Sequence, residues 1–535
     1  MRKDLSFISG VAIVALLGLT SCRSSDTEGN LLQRGEASVK VNLLGTDYAE
    51  AIDRGSQASV KTEMISSNNT GQGQQLILTP SSYLEAELTP VSAIVSSEQA
   101  LIVNNAMASV SWPNLGSGAK YRIIAYQQSN GAYKDYKDYT IGQPAQSLIL
   151  DMNVAYYLVL YSFGTSSLPA ISSGEQTNIN NAQVAYNNSS RDFMYQKVSY
   201  TPSSATGTIT TTLRHKLAYI TTSIHSINAD RITAIRSAVL GVHYTNGNFQ
   251  LSTGEITGRT TSTNQVLSFS GFPATTVTAS DVLINNNTNG SVTGSFSATV
   301  MMNGVVRNIS LPNSFRITPE NQSNLTINVR TCGAYIAAGL WKEFTCQNVG
   351  ATVGIDPFSP VAGNHGAKYQ FGANTGEASR YVSQATDQST TGAISWSTTG
   401  KIGSPWNNGT ESAPVKTTND PCPSGYRVPT QSEWRGVLNN NTLERVGTWI
   451  NNAINYGTAI YFRNATDGRT LMLPTAGFRY LQDGTLGNRG SDGNVWSSSG
   501  VTDATAYSLG FYSNTIDVYN TSNRAGGESV RCIAQ

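Results

Sequence analysis

The sequence predicts a mainly β protein with several domains, and three observations lead to that prediction. The chain has 535 residues, which at about 100 to 200 residues per domain allows three or four domains. Its 39% apolar fraction is too high for a disordered protein. Short segments that alternate apolar and polar residues recur along the chain, and Asn-Gly and Asp-Gly turns separate many of them.

Charge excludes one class of partner. Lys and Arg number 35 against 34 Asp and Glu, so the formal net charge is +1, and no basic run stands out. A nucleic-acid-binding protein usually gathers a basic surplus on one face or stripe. We therefore expect no nucleic acid among the partners of this chain.

The N-terminus predicts export. Arg2 and Lys3 precede an apolar run over 7–19, which is shorter than the roughly 20 residues that span a bilayer. The run ends in Leu19-Thr20-Ser21-Cys22, which resembles the bacterial lipobox, and this resemblance implies that Cys22 carries the lipid (palmitate) of an outer-membrane lipoprotein precursor. The alternative is an ordinary signal peptide with a chance cysteine.

The first predicted strand covers 37–44. Val39, Val41 and Leu43 lie with Ala37 on one face, and polar side chains alternate with them. Further strands are predicted over 75–78, 120–126, 146–150, 155–163 and 208–224, and we place a domain boundary near 197. Tyr133, Tyr136 and Tyr139 are interleaved with Lys and Asp, and we expect an edge strand whose tyrosines pack on their own domain. The alternative is an exposed aromatic patch that contacts a protein or a sugar.

Residues 332–535 differ from the rest. They hold six of the seven Trp and the four cysteines other than Cys22. An exported chain favours disulfides over metal ligation. Of the three possible pairings, we favour Cys332 with Cys346 and Cys422 with Cys532. The capping-box pattern Thr430-Gln431-Ser432-Glu433 predicts a helix here, with Trp434, Val437 and Leu438 buried.

Several motifs of this region resemble the major paralogous domain found at the C-termini of many bacterial surface lipoproteins. They are the stretches at 332–335, 341–351, 366–372, 421–430 with Glu433-Trp434, 473–479, 496–499 and 530–532. The resemblance implies a disulfide-tied, C-type-lectin-like α+β fold. The chain has neither the Glu-Pro-Asn nor the Trp-Asn-Asp calcium motif of sugar-binding lectins, since Ser497 follows Trp496.

The first 330 residues resemble the fimbrillins of type V pili. The shared features are the lipobox, a first strand followed by an Arg, Asp192-Phe193-Met194-Tyr195, and His215-Lys216-Leu217-Ala218. The resemblance implies two transthyretin-like β-sandwich domains. It also implies that an Arg-specific protease cuts between Arg54 and Gly55, removing the first strand, and that a neighbouring subunit supplies a strand in its place. Arg34-Gly35 is a competing site that would spare the strand.

These inferences divide the chain into five parts. They are a signal peptide (1–21), a lipidated propeptide with the removable strand (22–54), two β-sandwich domains (55–196 and 197–330) and a C-type-lectin-like domain (331–535).

The burial of the first strand favours a cut at Arg54. Val39, Val41 and Leu43 would each contribute about 1.5 to 3 kcal/mol when buried, so the loss of this strand rivals the stability of a whole domain, about 5 to 15 kcal/mol. The cut would expose an apolar groove between unpaired strand edges, which is a template for strand addition. The competing interpretation is that Arg54 is an ordinary loop residue and the strand stays in place.

The C-terminal end suggests a position in the assembly. We expect 529–534 to be a terminal strand held by Cys532, which could not be donated to another subunit. The chain is therefore interpreted as a tip or accessory subunit of a cell-surface fimbrium with an adhesive role. Its expected partners are other fimbrial subunits and a surface protein or glycan receptor. The alternative is a glycan-binding lipoprotein retained at the outer membrane through Cys22.

No motif predicts an enzyme. The sequence has no H-E-x-x-H, G-x-S-x-G, Walker A or EF-hand pattern, and the four His are not at ligand spacing. We therefore expect no catalytic residue, no cofactor and no metal. Asp467, Asp483 and Asp492 each precede Gly and are interpreted as turn residues.

Overall fold

The computed structural model describes residues 35–49, 72–91, 115–186, 188–189, 192–227, 230–287, 289–464 and 468–535. Cys22, Arg34, Arg54 and Gly55 lie outside these ranges, so the expectations on lipidation and cleavage are not addressed by the structure. Asp467 also lies outside them.

Strands dominate the described chain, as the sequence predicts. The first ten are β1 (Glu36–Asp47), β2 (Gln72–Thr79), β3 (Ser82–Pro90), β4 (Lys120–Gln127), β5 (Tyr133–Thr140), β6 (Leu148–Asp151), β7 (Tyr156–Ser162), β8 (Gln183–Ala185), β9 (Met194–Tyr200) and β10 (Thr206–His215).

Seven of these strands form one sheet in the order β5-β4-β7-β9-β10-β1-β6. The sheet curls so that its two end strands approach each other. Lys134 Nζ on β5 lies 2.8 Å from Asp151 Oδ1 on β6, and the backbone N–H of Ile149 donates to Asp135 Oδ2 at 3.4 Å. Inward-facing side chains of all seven strands, among them Val39, fill the interior. The first sheet is therefore nearly a closed barrel.

The tyrosines of β5 pack on this sheet, as expected. β5 is a terminal strand in the sheet order. Tyr139 is buried and stacks on Tyr121 of β4, with the ring centroids 5.0 Å apart. Its hydroxyl donates to Gln146 O at 2.7 Å, which adds a further link from β5 to the segment before β6.

The next ten strands belong mainly to the second of the two β domains, a β-sandwich that we call the second sandwich. They are β11 (Ala218–Ser226), β12 (Ile232–Tyr244), β13 (Asn248–Gln250), β14 (Glu255–Thr257), β15 (Ser262–Val266), β16 (Thr276–Thr278), β17 (Val282–Ile284), β18 (Gly294–Met302), β19 (Val305–Phe315) and β20 (Gln322–Thr331).

Two sheets of this sandwich share one apolar core. One has the order β16-β11-β20-β3-β2, with β17 also beside β11, and the other has the order β15-β12-β18-β19. Ile224 and Ile327 from the first sheet pack in the same cluster as Phe296 and Val300 from the second. Asn303 and Gly304 both have positive φ in the β18–β19 hairpin, as an Asn-Gly turn of type I′ requires.

The sheet pairings differ from the domain boundaries expected from sequence. β2 and β3 were assigned to the domain at 55–196, but β3 pairs antiparallel with β20 from Ser82↔Thr331 to Pro90↔Ser323, so this hairpin belongs to the second sandwich. The boundary near 197 also shifts, because β9 and β10 complete the first sheet. The single strand predicted over 208–224 is two strands, β10 and β11, which lie in different sheets.

The described part of the C-terminal region combines small sheets with two α-helices and a 3₁₀ turn. Its strands are β21 (Gly333–Ala337), β22 (Leu340–Glu343), β23 (Lys368–Tyr369), β24 (Tyr381–Val382), β25 (Tyr426–Arg427), β26 (Thr442–Val446), β27 (Ala459–Asn464), β28 (Gly468–Pro474), β29 (Phe478–Arg479), β30 (Leu486–Gly487), β31 (Gly493–Gly500), β32 (Thr505–Phe511), β33 (Ile516–Asn523) and β34 (Ile533–Ala534), and its helices are a 3₁₀ turn (Ala362–Asn364), α1 (Gln384–Ser389) and α2 (Gln431–Asn440). We call 332–535 the C-terminal module.

Local expectations for the module hold at the cysteines and at α2, where Trp434 and Val437 are buried and Leu438 is half-buried. The Thr430 side chain accepts from the backbone N–H of Glu433, and the Glu433 carboxylate accepts from the backbone N–H of Thr430, which completes the capping box. The structure contains the disulfides Cys332–Cys346 and Cys422–Cys532, the two pairs favoured from the sequence. Trp406 lies in a Gly-, Ser- and Thr-rich segment that favours exposure, but it is buried and donates its indole N–H to Ala373 O.

The tip of the β2–β3 hairpin joins the second sandwich to the C-terminal module. The backbone N–H groups of Cys332 and Cys346 donate to Ser81 O and Pro80 O, each at 2.7 Å. Tyr426 donates its hydroxyl to Ser81 Oγ at 2.7 Å. The hairpin tip therefore sits on the smaller disulfide loop and is fixed there by backbone hydrogen bonds.

A fully buried ion cluster lies inside the module. The Asp387 carboxylate accepts from Arg479 Nε at 2.7 Å and from an Arg489 NH2 group at 2.6 Å, and Lys368 Nζ lies 3.4 Å away; none of the four side chains is exposed. Burial acts to raise the pKa of the Asp387 carboxyl, but the three cations outweigh burial and lower that pKa. Asp387 is therefore held as an anion in the core at neutral pH.

Glu528 is a second buried carboxyl, and it predicts a pH dependence. Burial raises the pKa of Glu528 from 4.5 to about 7, against the smaller effects of Ser522, Ser508 and Lys368. As pH rises from about 4.5 to 7, the unfolded chain releases a proton that the folded module retains, so stability falls over this window. We expect Glu528→Gln to remove this contribution.

The measurement is the thermal midpoint of the module followed by tryptophan fluorescence, since six of the seven Trp lie in the module. The thermal midpoint of Glu528→Gln should rise relative to that of wild type as the pH increases from 4.5 to 7. A constant difference between the two proteins across these pH values would contradict the prediction.

Candidate functional site

β1 is an internal strand of the first sheet, between β10 and β6. It pairs in parallel with β10 from Ser38↔Thr206 to Asp47↔Arg214. It pairs antiparallel with β6 from Glu36↔Asp151 to Val39↔Leu148. β6 is the last strand in the order of the sheet. If β1 were absent, a slot would separate β6 from β10.

The side chains of β1 explain why it lies in this position. Val39 is fully buried and Val41 is 3% exposed, and both pack in the barrel interior. Leu43 is only half-buried, because the regular pairing with β10 breaks between Leu43 and Thr46. Gly45 lies in this irregularity with φ of 151°, which favours glycine. Of the three residues proposed to leave with the strand, two therefore fill the core.

The end of β1 reaches the junction of the first sheet with the second sandwich. The Tyr48 ring stacks on the His215 ring with centroids 4.2 Å apart and planes 5° apart. His215 Nδ1 lies 2.6 Å from Asp192 Oδ1. The backbone N–H of Ala49 donates to Glu320 O at 2.8 Å, just before β20. Sequence reasoning noted Asp192 and His215 only as parts of family-like motifs, and it missed Tyr48 altogether.

The C-terminal strand is held in its own module. β34 pairs with β25 through Tyr426↔Ala534 and Arg427↔Ile533. Cys532 is fully buried and bonded to Cys422. The adjoining Arg531 is also fully buried and donates to Asn348 Oδ1 and to the Thr345 and Cys346 carbonyls.

The described ranges contain neither a metal-ligand cluster nor a membrane-spanning helix. There, no group of three or more His, Cys, Asp or Glu side chains is arranged to hold a metal ion. Nor does any helix among those same residues combine the length and the apolar character needed to cross a bilayer.

Comparison with known proteins gives only distant structural likenesses. No family model matches the chain, and no curated protein matches it. A candidate cell adhesion protein from Parabacteroides distasonis is 11% identical with a TM-score of 0.30, and the match covers 45% of this chain and 87% of that one.

Two further solved structures carry fimbrial descriptions. A fimbrial assembly protein from Parabacteroides distasonis is 7% identical with a TM-score of 0.26, and the match covers 42% of this chain and 86% of that one. The fimbrial anchor protein Mfa2 from Porphyromonas gingivalis is 11% identical with a TM-score of 0.26, and that match covers 41% and 84%. All three likenesses span less than half of this chain.

Proposed function

We propose that this chain is a tip or accessory subunit of a cell-surface fimbrium with an adhesive role. In this proposal it is exported as a lipoprotein through Cys22, and an Arg-specific protease cuts between Arg54 and Gly55. A strand from a neighbouring subunit then takes the place of β1. The observation that carries the proposal is the position of β1, a core-filling strand between two others and ahead of Arg54 in the chain.

The slot left by β1 suits a strand from another chain. β10 would present an unpaired backbone edge over the length of its pairing with β1, and β6 would do so over four residues. Backbone edges of this kind pair readily with an extended segment. The departure of Val39 and Val41 would leave two apolar pockets in the core. An incoming strand would place apolar side chains in both pockets in only one register.

The C-terminal module is the part that we propose faces an external partner, a surface protein or a glycan, and we infer a C-type-lectin-like fold for it. Its last strand is tied by Cys422–Cys532 and by the buried Arg531, so a donated C-terminal strand would require breaking that core. This supports an end position in the assembly, where a subunit accepts a strand without giving one.

The proposal is tested on protein recovered from cells. Mature chains from surface filaments should begin at Gly55, and immunogold labelling should place the C-terminal module at filament ends. Arg54→Ala should leave the precursor uncut at this position and absent from filaments, whereas Arg34→Ala should behave as wild type. Mature protein that still begins at an acylated Cys22 would contradict the proposal.

Contacts between β5 and β6 are expected to hold β6 in place after β1 has left, so that the slot does not close. β6 has β1 as its ladder partner, but Lys134 and Asp135 on β5 also hold it from the other side. In the uncut chain, Lys134→Ala with Asp135→Ala should change stability by less than about 1 kcal/mol, because partly exposed ion pairs contribute little. Once β1 is removed, the same pair of substitutions should release β6.

Hydrogen exchange of the β6 amides measures this effect. Exchange at 148–151 should differ little between the variant and wild type before the cut, and should be at least about tenfold faster in the variant after it. Arg236→Ala on the second sandwich serves as a control. Equal exchange in the two cut proteins would show that β5 does not hold β6.

A further inference from the structure

A cavity of about 340 Å³ lies where the end of β1 meets the junction of the first sheet and the second sandwich. It is lined by residues from several separate parts of the chain. They include Tyr48 at the end of β1, Asp192 and Met194 beside β9, His215 at the end of β10, Tyr219 on β11 and Gln322 on β20.

Tyr48 provides one wall of this cavity. Its ring lies flat on His215 and is tilted by 59° against Tyr219, with those two centroids 5.7 Å apart. Both contact residues are fixed by carboxylates: His215 by Asp192, and Tyr219 through its hydroxyl by Asp281. The seat of the Tyr48 ring is therefore formed by side chains that belong to other strands and that would remain after β1 departs.

The position of Tyr48 in the chain links this seat to the slot. Tyr48 lies seven positions after Val41 and six before Arg54, so a cut at Arg54 removes it together with β1. The Ala49 hydrogen bond to Glu320 O would be lost with it. The cut would then open a groove that runs from the barrel interior to an aromatic seat on His215 and Tyr219.

We propose that this seat is an anchor site for an aromatic side chain of the incoming strand, about seven positions after the residue that replaces Val41. This inference rests on the proposed strand exchange and adds a specificity requirement to it. The partner is a β-strand with alternating apolar residues, a break in the alternation, and then Tyr, Phe or Trp. A flat ring is required because stacking on His215 depends on parallel planes.

The experiment uses the full chain cut at Arg54 and separated from the released fragment. Three labelled peptides that span residues 36–49 are compared by fluorescence anisotropy: the native sequence, Tyr48→Phe and Tyr48→Ala. We expect Tyr48→Ala to bind about 10- to 100-fold more weakly than the native peptide, and Tyr48→Phe to stay within about threefold of it. Equal binding of all three peptides would overturn the anchor site.

Substitutions in the cut chain assign the effect to the seat. With His215→Ala, or separately with Tyr219→Leu, the difference between the native and Tyr48→Ala peptides should shrink to less than about threefold. A difference that persists in both variants would overturn the assignment to this cavity. If the native peptide fails to bind the cut wild-type chain, strand exchange itself is refuted and the anchor site with it. Equally tight binding of the native and Tyr48→Ala peptides refutes the anchor site but leaves strand exchange standing.

Discussion

Removal of residues 1–54 is expected to raise hydrogen exchange of the β10 and β6 amides by more than about 100-fold. Burial of Val39 and Val41 contributes about 1.5 to 3 kcal/mol each, so their loss alone lowers the free energy of opening by about 3 to 6 kcal/mol. The ladder hydrogen bonds to both neighbours are lost in addition. Amides of the second sandwich and of the C-terminal module should change far less.

A synthetic β1 peptide should reverse this effect, and one face of the peptide should matter more than the other. Val41 points into the core whereas Asn42 is exposed. The peptide with Val41→Lys should therefore fail to restore slow exchange, while the matched peptide with Asn42→Lys should restore it. Slow exchange at β10 in the cut chain without any peptide would show that the sheet does not depend on β1.

Replacement of Asp387 by Asn is expected to destabilise the C-terminal module by about 3 to 5 kcal/mol, the usual cost of breaking a buried ion pair. The side chain keeps its shape but loses its charge, so Arg479, Arg489 and Lys368 are left as buried cations without a carboxylate. Burial and the neighbouring Asp387 already oppose each other at Lys368, whose pKa burial lowers to about 8. Without Asp387 that pKa should fall further.

Denaturant unfolding followed by tryptophan fluorescence measures the loss. Glu444→Gln is the matched control, because Glu444 pairs with Arg469 and Arg463 at a partly exposed position. Such pairs contribute about 0 to 1 kcal/mol. A loss in Asp387→Asn no larger than in Glu444→Gln would mean that the module tolerates the uncompensated cations.

Local features of the fold were predictable from the sequence because their causes are local. Alternation predicted β1, the Asn303-Gly304 turn predicted a hairpin, and Thr430 with Glu433 predicted the start of α2. Partners distant in the chain were not predictable in this way. The pattern over 75–78 predicted β2, but no strand was predicted for β3, and nothing in the sequence identifies β20, more than 230 residues later, as the neighbour of β3.

The same distinction between local and distant causes applies to the candidate site. The core-facing residues Val39 and Val41 follow from the period of two in a strand. The seat of Tyr48 requires residues from β10 and β11, so only the folded chain brings them together. Trp406 shows that local sequence can also mislead. Its Gly-, Ser- and Thr-rich segment suggests exposure, but the folded chain buries the side chain.

The hairpin formed by β2 and β3 has a mechanical consequence. The C-terminal module is joined to the second sandwich covalently between Thr331 and Cys332. It is joined a second time at Pro80 and Ser81, whose carbonyls accept hydrogen bonds from the disulfide loop. Because there are two attachments, the module cannot rotate relative to the second sandwich as freely as it could on a single linker. A force applied to the module would therefore tilt the module and the second sandwich together as one body.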